Sequence, residues 1–236
     1  DKPYDVVGGD FKFDSEGEPI VQYQEAIRYV LTIPTAFEMP EAGWPVVLYA
    51  HGTGGDVESC KWSVAEDLSK EGMAIVCIEQ PLHGERGDPS WFIELLTFNF
   101  ANPRAGRTNF RQSAADTIVL THMLQSGHFD LPFGTTELEE DVLFDPTQIH
   151  FFGHSQGGLS GALVLGVEPT VNSAVLSGAG GVLVETILRR KDFADIGALV
   201  QTLLEVPPNT FGPFHPTMAL VQMLVDATDP VNYAQY

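Results

Sequence analysis

Three short, continuous apolar runs, each followed by a loop that contains glycine or histidine, constrain the fold of this chain more than any other feature. The runs cover residues 46–50, 74–78 and 149–152. An apolar run of this length that ends at turn residues is typical of a strand buried on both faces, as strands of a parallel sheet are. Segments with helical periodicity separate the runs, so the alternation predicts an α/β fold: a mostly parallel sheet with helices on both faces.

Further segments extend this pattern. Residues 24–33 are rich in β-branched and aromatic side chains, and we expect them to form an opening antiparallel pair with the alternating residues 11–13. A fourth buried strand is predicted at residues 174–176. Because the carboxyl ends of parallel strands meet at one edge of a sheet, the loops after the first three runs should line one cleft. Helices are predicted at residues 59–71, 108–124, 157–165, 183–204 and 218–225.

Charge and length exclude several classes of protein. Acidic residues outnumber basic ones 32 to 12, and the resulting net charge of −20 argues against nucleic-acid binding. No apolar run reaches the ~18 residues of a membrane helix. A length of 236 residues suits one α/β domain, which we place at residues 1–236. Cys77 falls in an apolar run and is expected to be a buried thiol, whereas Cys60 could be free or paired, so one disulfide is possible.

Residues 153–157 (Gly-His-Ser-Gln-Gly) match the G-x-S-x-G pattern of a nucleophile elbow. In an elbow the serine occupies a sharp, strained turn between a strand and a helix, and its neighbours must be small to avoid a clash. A predicted strand precedes Ser155 and a helix of small residues follows it, so the pattern predicts that Ser155 is a catalytic nucleophile. The alternative is a chance match in a chain with 23 glycines.

Residues 51–55 (His-Gly-Thr-Gly-Gly) follow the first buried run and form a second candidate element. An acyl-transfer site of this kind needs two backbone N–H donors for the oxyanion, one from the residue after the nucleophile and one from an earlier loop. These rules assign the donors to Gln156 and Thr53, with Gly54 as the next choice. The alternative is that the glycines only make a tight turn.

The histidines near these motifs are interpreted as structural. His51 is expected to brace the glycine-rich loop by hydrogen bonds, with a catalytic base as the alternative. His83 lies in a loop after the second run, and the side chain of His154 is expected to point away from Ser155. No set of His, Cys and acidic residues has metal-ligand spacing, and nothing resembles a phosphate-binding loop, so no metal or cofactor is expected.

Together, the loop at residues 51–55, the loop at residues 81–86 (Pro-Leu-His-Gly-Glu-Arg) and the elbow resemble the α/β-hydrolase superfamily of serine esterases and lipases. The resemblance covers nearly the whole chain from residue 24. Residues 109–113 (Asn-Phe-Arg-Gln-Ser) and 226–233 look most like bacterial extracellular lipases of the virulence-factor type. The resemblance implies the α/β-hydrolase fold, a carboxyl-ester substrate, and a secreted or cell-envelope bacterial protein whose signal peptide has been removed.

The chain departs from the superfamily pattern after the elbow. In that pattern the acid and the histidine of the triad follow the nucleophile, each after a late strand. Only His215 follows Ser155, between two prolines, and neither Asp226 nor Asp229 follows a predicted strand. We therefore assign no acid or base within this chain and expect the last two strands of the fold to be lacking. A second chain or a further C-terminal part is expected to supply them, with His215 as base the weaker alternative.

These observations predict a serine hydrolase that cleaves a small-molecule or lipid carboxyl ester through an acyl-enzyme on Ser155. Residues 183–214 are expected to form a lid or a wall for an apolar acyl chain, or else to pack on the sheet. Two other functions stay open. One is a peptidase or amide hydrolase with the same elbow, and the other is a non-catalytic hydrolase-like fragment that needs a second chain.

Overall fold

The computed structural model describes residues 8–87, 92–99, 102–191, 195–203, 205–207 and 210–234. In these ranges the chain forms a five-stranded sheet in the order β1-β3-β2-β4-β5, and only the β1–β3 pair is antiparallel. The strands are β1 Tyr29–Thr32, β2 Trp44–Ala50, β3 Ala74–Ile78, β4 Phe144–His154 and β5 Ser173–Ser177. The sheet confirms the predicted, mostly parallel arrangement.

Seven α-helices accompany the sheet within the described ranges. The longest, α3, begins after Asn102, whose side chain accepts the N–H of Ala105, and has Pro103 at its first position, a combination that favours a helix start. No described helix is long and apolar enough to cross a membrane. The helices are α1 Ala65–Lys70, α2 Ile93–Phe98, α3 Pro103–Gln125, α4 Gln156–Leu165, α5 Leu183–Arg189, α6 Ile196–Leu203 and α7 Pro216–Val225.

Alternating side chains of the central strands supply a separate core on each face of the sheet. On one face, Leu48 belongs to a buried cluster that includes Leu124 of α3. On the other face, Val47 belongs to a cluster that includes Ala65 of α1. Helices therefore cover both faces, as the apolar runs predict, and the strands that they cover are the ones that end at the candidate motifs.

A disulfide joins Cys60, in the turns before α1, to Cys77 in β3. Both residues are fully buried, so the expected burial of Cys77 is confirmed, while its sulfur forms the disulfide that the sequence left open rather than a thiol. A cross-link that closes a loop of this size, with a sequence separation of 17, restricts the unfolded chain and contributes about 3 kcal/mol to stability.

The expected opening pair between residues 11–13 and 24–33 is wrong. Only Tyr29–Thr32 forms a strand, and it pairs with β3. Phe13 instead makes an isolated bridge to Pro19. The physical reason is local: the carboxylate of Asp14 accepts the N–H groups of Glu16 and Glu18, which closes a tight turn and folds this segment back on itself.

The segment predicted as helical over residues 183–204 forms two helices, α5 and α6, rather than one. The first ends because Arg190 adopts an extended conformation, with φ −71° and ψ 129°. The second begins at Ile196, directly after Asp195, whose carboxylate accepts the N–H of Ala198 at 2.9 Å as a helix cap does. Leu204 lies outside the described residues.

Candidate active site

Ser155 occupies the sharp turn between β4 and α4. Its backbone has φ 51° and ψ −110°, a conformation that is rare for residues other than glycine. Its N–H donates to the carbonyl oxygen of Ser177 at the end of β5, at 2.8 Å. Such conformations persist only where the surroundings hold them, and they concentrate at functional sites. The turn has the strained strand-to-helix geometry that the G-x-S-x-G pattern predicts.

Glycine is required on both sides of this turn. A Cβ atom on Gly157 would lie 2.0 Å from the carbonyl oxygen of Ala50, and one on Gly153 would lie 2.4 Å from the carbonyl oxygen of Gly157. Both distances are far below van der Waals contact. Gly153 therefore allows the end of β4 to lie against the first turn of α4, and Gly157 allows α4 to approach β2 closely, which brings the start of the helix beside the loop that follows β2.

The loop at residues 51–55 lies next to Ser155. The N–H of Gly157 donates to the carbonyl oxygen of His51 at 3.1 Å, which ties the loop to the first turn of α4. A Cβ atom on Gly52 would lie 3.2 Å from the Cβ of Ser155, so any side chain at position 52 would crowd the serine. The two predicted motifs are thus brought together at the carboxyl ends of β2 and β4.

The backbone N–H groups of this loop differ in availability. The N–H of Gly54 donates to Nε2 of His83 at 3.1 Å, and that of Gly55 donates to the carbonyl oxygen of Gly52 at 3.0 Å. The N–H of Thr53 donates to none of the described residues. Gln156 is the first residue of α4, where backbone N–H groups have no partner within the helix. Thr53 and Gln156 therefore keep N–H groups for a ligand, whereas Gly54, the second choice, does not.

The side chains of the two predicted donors also contact each other. The hydroxyl of Thr53 donates to Oε1 of Gln156 at 2.8 Å. The side chain of Gln156 is buried, while Thr53 is half-buried at the mouth of the loop. This bond fixes the loop relative to the start of α4.

Two buried histidines hold the loop as neutral rings. Nδ1 of His51 donates to the carbonyl oxygen of Gly52 at 2.8 Å, and its Nε2 accepts the N–H of Gln80 at 3.2 Å. Nδ1 of His83 donates to the carbonyl oxygen of Pro81 at 3.0 Å. Burial lowers the pKa of His51; burial, and next the proximity of His51, lowers the pKa of His83 to about 4. Both rings therefore accept a hydrogen bond at neutral pH, as the structural interpretation requires.

Sequence reasoning missed two residues of this site, Gln80 and Ser113. Oε1 of Gln80 accepts from the hydroxyl of Ser113 at 2.9 Å and from Nε2 of Gln156 at 3.4 Å, and its Nε2 donates to the carbonyl oxygen of His51. Both residues are buried. The available signal was position: Gln80 follows the end of β3, and Ser113 ends the segment 109–113 that carries the narrower resemblance.

No base contacts Ser155 within the described residues. All seven histidines of the chain lie in the described ranges, and the ring of each hydrogen-bonds to a group other than the Ser155 hydroxyl. The ring of His154 lies near the hydroxyl of Ser177, 3.4 Å from it. His215 caps α7 by accepting the N–H of Thr217.

Asp229, to which the sequence analysis assigned no role, forms hydrogen bonds that hold the fold together. It is fully buried and accepts the N–H groups of Val182 and Leu183 at the start of α5, as well as Nε2 of Gln222. Its carboxylate therefore anchors α5 to the C-terminal segment. Among the described residues, no group of three or more His, Cys, Asp or Glu side chains is arranged to hold a metal ion.

Neither a protein-family model nor a curated protein matches this sequence. Among solved structures, the acetyl xylan esterase from Paenibacillus sp. R4 matches with a TM-score of 0.55 and 16% identity, over 95% of this chain and 62% of that one. Acetyl xylan esterase 1 from Thermoanaerobacterium sp. JW/SL YS485 matches with a TM-score of 0.52 and 15% identity, over 89% and 60%. This chain thus spans less than two thirds of either structure.

The narrower resemblance to bacterial extracellular lipases gains no specific support from these two structures. At such low identity the similarity establishes the fold alone. The central sheet, the helices on both of its faces and the turn at Ser155 agree with it. This chain has the α/β-hydrolase fold.

Proposed function

We propose that this chain carries the nucleophile and the oxyanion site of a serine hydrolase that cleaves carboxyl esters. The observation that carries the proposal is the position of Ser155, whose strained turn lies beside two backbone N–H groups that no described residue accepts, those of Thr53 and Gln156. Both solved structures described above are named acetyl xylan esterases, which favours an ester over an amide as the substrate.

In the proposed reaction, the oxygen of Ser155 attacks the carbonyl carbon of the ester while a base takes the hydroxyl proton. The N–H groups of Gln156 and Thr53 stabilise the charge that develops on the carbonyl oxygen, and the N-terminal end of α4 adds a partial positive charge. The C–O bond of the ester then breaks, and the alcohol leaves with the proton from the base. Water attacks the acyl-enzyme, the carboxylic acid leaves, and Ser155 regains its proton.

The base is proposed to come from outside residues 1–236. The element that carries the base could pack beside the outer strand β5, because apolar side chains of this strand are exposed: Val175 is 51% exposed and Leu176 is 37% exposed. A groove of about 680 Å³ lies between β5, α4 and the segment that contains Val231 and Tyr233. An uncovered apolar edge promotes aggregation. Two further strands beside β5, on a second chain or a further C-terminal part, would cover this edge and carry the triad acid and histidine.

The substrate class and the compartment follow as parts of the same proposal. The helices α5 and α6, within residues 183–214, are proposed to form a wall or lid for an apolar acyl chain, since Leu199 of α6 presents an exposed apolar side chain. The buried disulfide between Cys60 and Cys77 suits an oxidising compartment, which supports a secreted or cell-envelope location.

The decisive experiment is ester turnover by the complete gene product with Ser155 intact and with Ser155→Ala. We expect Ser155→Ala to lower turnover of short-chain p-nitrophenyl esters by several orders of magnitude, with unchanged circular dichroism. Ser160→Ala is the matched control, because Ser160 lies in the helix that follows Ser155 and its hydroxyl bonds, among the described residues, to backbone oxygens of α4. A folded Ser155→Ala protein that keeps its activity would disprove the assignment.

Two additional readouts separate the alternatives. Labelling of Ser155 by a fluorophosphonate is expected for a hydrolase and absent for a non-catalytic fragment. Preferential cleavage of peptide amides over esters would indicate a peptidase or amide hydrolase. Residues 1–236 expressed alone are expected to show little turnover, because a serine is a weak nucleophile without a base. Full turnover by that protein, abolished by His215→Ala, would place the base at His215.

A further inference from the structure

We infer that Gln80 is a positioning residue for the oxyanion site, holding the loop at residues 51–55 so that the N–H of Thr53 points toward the substrate. The inference rests on the proposed function. Gln80 is 2% exposed, lies two residues after the end of β3, and has both of its side-chain polar atoms in hydrogen bonds. Buried amides are expensive to retain unless they are fully bonded, and this one links three elements of the site.

The direction of the Thr53 N–H is set by the carbonyl of the residue before it. A trans peptide is planar, so the N–H of Thr53 points opposite to the carbonyl oxygen of Gly52. That oxygen accepts from Nδ1 of His51 at 2.8 Å and from the N–H of Gly55 at 3.0 Å. These two bonds prevent the peptide from rotating, and they leave its N–H on the side away from them.

The bond from His51 to Gly52 requires one tautomer of the imidazole. Nδ1 can donate only when it carries the proton, and a neutral ring then accepts at Nε2. The backbone N–H of Gln80 donates to that Nε2 at 3.2 Å, so it selects this tautomer. The backbone N–H of Gln80 therefore keeps the proton of His51 on Nδ1, the nitrogen that donates to the loop.

The side chain of Gln80 fixes that position. Its Nε2 donates to the carbonyl oxygen of His51, which also accepts the N–H of Gly157. Its Oε1 accepts from the hydroxyl of Ser113 at 2.9 Å and from Nε2 of Gln156 at 3.4 Å. One amide thus ties the loop to α3 and to the first residue of α4, which supplies the other proposed N–H donor. Loss of this amide should shift the two donors relative to each other.

The test compares three variants of the complete protein: Gln80→Met, which keeps the length of the side chain without its hydrogen bonds, Ser113→Ala, and Thr121→Val as a matched control. Thr121 is a fully buried hydroxyl on α3 that bonds to the backbone of its own helix and does not contact the loop. The measurements are kcat and KM for a p-nitrophenyl ester, the rate of inactivation by a phosphonate ester, and Tm.

For Gln80→Met we expect kcat and the inactivation rate to fall about 10- to 100-fold with KM within about twofold, because displaced donors weaken transition-state binding more than substrate binding. For Ser113→Ala we expect a fall of about three- to tenfold, since only one of the bonds to Gln80 is lost. Thr121→Val should lower Tm without changing kcat. If the role of Gln80 were merely structural, Gln80→Met would show the same result: a lower Tm with an unchanged kcat.

The inference is wrong if folded Gln80→Met keeps a kcat within about twofold of the original protein, or if Thr121→Val lowers kcat as much as Gln80→Met does. If Gln80→Met does not fold, Ser113→Ala decides by the same criterion. Ser155→Ala in the same assays separates this outcome from failure of the proposed function. An inactive Ser155→Ala protein beside fully active Gln80 and Ser113 variants would overturn only the inference.

Discussion

The region around Ser155 and the outer strand β5 belong to the same sheet. They differ in how far their side chains are buried and in how many partners the described residues provide for them. Around Ser155, the side chains of His51, Gln80 and Gln156 are buried and hydrogen-bonded to one another or to the loop. On β5, Val175 is half exposed and no described strand lies beside it on the outer side.

This contrast separates two parts of the proposed chemistry. The groups that would stabilise negative charge are preorganised within residues 1–236, because their positions are fixed by bonds inside the chain. The groups that would move a proton are not in contact with Ser155 in the described residues. Substitutions at the elbow should therefore lower the stability of residues 1–236 expressed alone. Substitutions on β5 should lower stability only in the complete protein, where further strands would cover β5.

In this comparison, the largest combined loss of stability and turnover is expected from Gly157→Ala. The new Cβ would lie 2.0 Å from the carbonyl oxygen of Ala50, so α4 and β2 would have to separate and the turn at Ser155 would deform. We expect the free energy of unfolding in urea to fall by about 3 kcal/mol and ester turnover to fall at least about 100-fold. Gly212→Ala is the control, because no atom lies within 4 Å of a Cβ there. Unchanged stability of Gly157→Ala would contradict the close approach of α4 to β2.

The second prediction concerns the backbone of Thr53. Thr53→Pro removes the N–H proposed as an oxyanion donor, and we expect kcat to fall about 100- to 1000-fold. Thr53→Val keeps the N–H and the shape but loses the bond from the hydroxyl to Gln156, so its effect should stay below about tenfold. If kinetics show the two variants equally impaired, the hydroxyl rather than the backbone is the important group.

The backbone of both regions was predictable: the strand expected at residues 174–176 forms as β5, although its expected burial is wrong because no described strand lies on its outer side. The apolar runs at residues 46–50 and 74–78 became β2 and β3 with little change, and Ser155, Gln156 and the loop with Thr53 came together as the motifs predict. Buried parallel strands can be recognised from sequence because both of their faces must be apolar, so the pattern is contained in a few consecutive residues.

The sequence could not predict the hydrogen-bond, disulfide and strand partners of individual residues. The side-chain bonds of Gln80 reach residues that are 29, 33 and 76 positions away, and no local pattern encodes them. For the same reason the sequence left the pairing of Cys60 open, and the pair expected between residues 11–13 and 24–33 is wrong, since the partner of a cysteine or a strand depends on which segments become neighbours. Composition predicts a strand, but not what lies beside it.

The third prediction is a pH dependence of stability from His83. The unfolded chain takes up a proton near the ordinary pKa of 6.5, whereas the folded protein takes it up near a pKa of about 4 because burial disfavours the charged ring. Between these values the unfolded state binds more protons, so the free energy of unfolding falls as pH falls. This contribution of about 3 kcal/mol is fully present above pH 6.5 and is largely lost by pH 4.

Urea unfolding of the original protein and of His83→Gln, from pH 7.5 to about 4, measures this contribution. Glutamine stays neutral and can accept the N–H of Gly54 through Oε1, so the slope between pH 6.5 and 4 should be smaller in the variant. Protonation of carboxylates with a lowered pKa, such as Glu168, also destabilises the protein in acid. This effect is common to both proteins, so it cancels in the difference between their slopes. Equal slopes would show that His83 is not held neutral by burial.

The smallest expected effect tests the exposed strand itself. Val175 is 51% exposed, so Val175→Ser in residues 1–236 alone should change the free energy of unfolding by no more than about 0.5 kcal/mol. In the complete protein, further strands beside β5 and the segments that accompany them would bury this side chain, and the same substitution should then cost about 2 kcal/mol. Val76→Ser is the matched control, because Val76 is 1% exposed within this chain and should cost the same in both proteins. The difference between the two contexts isolates what covers β5 from any general weakness of a serine in a strand. A small effect of Val175→Ser in both proteins would mean that β5 stays uncovered, and the triad histidine would then have to reach Ser155 from an element that does not pack on this strand.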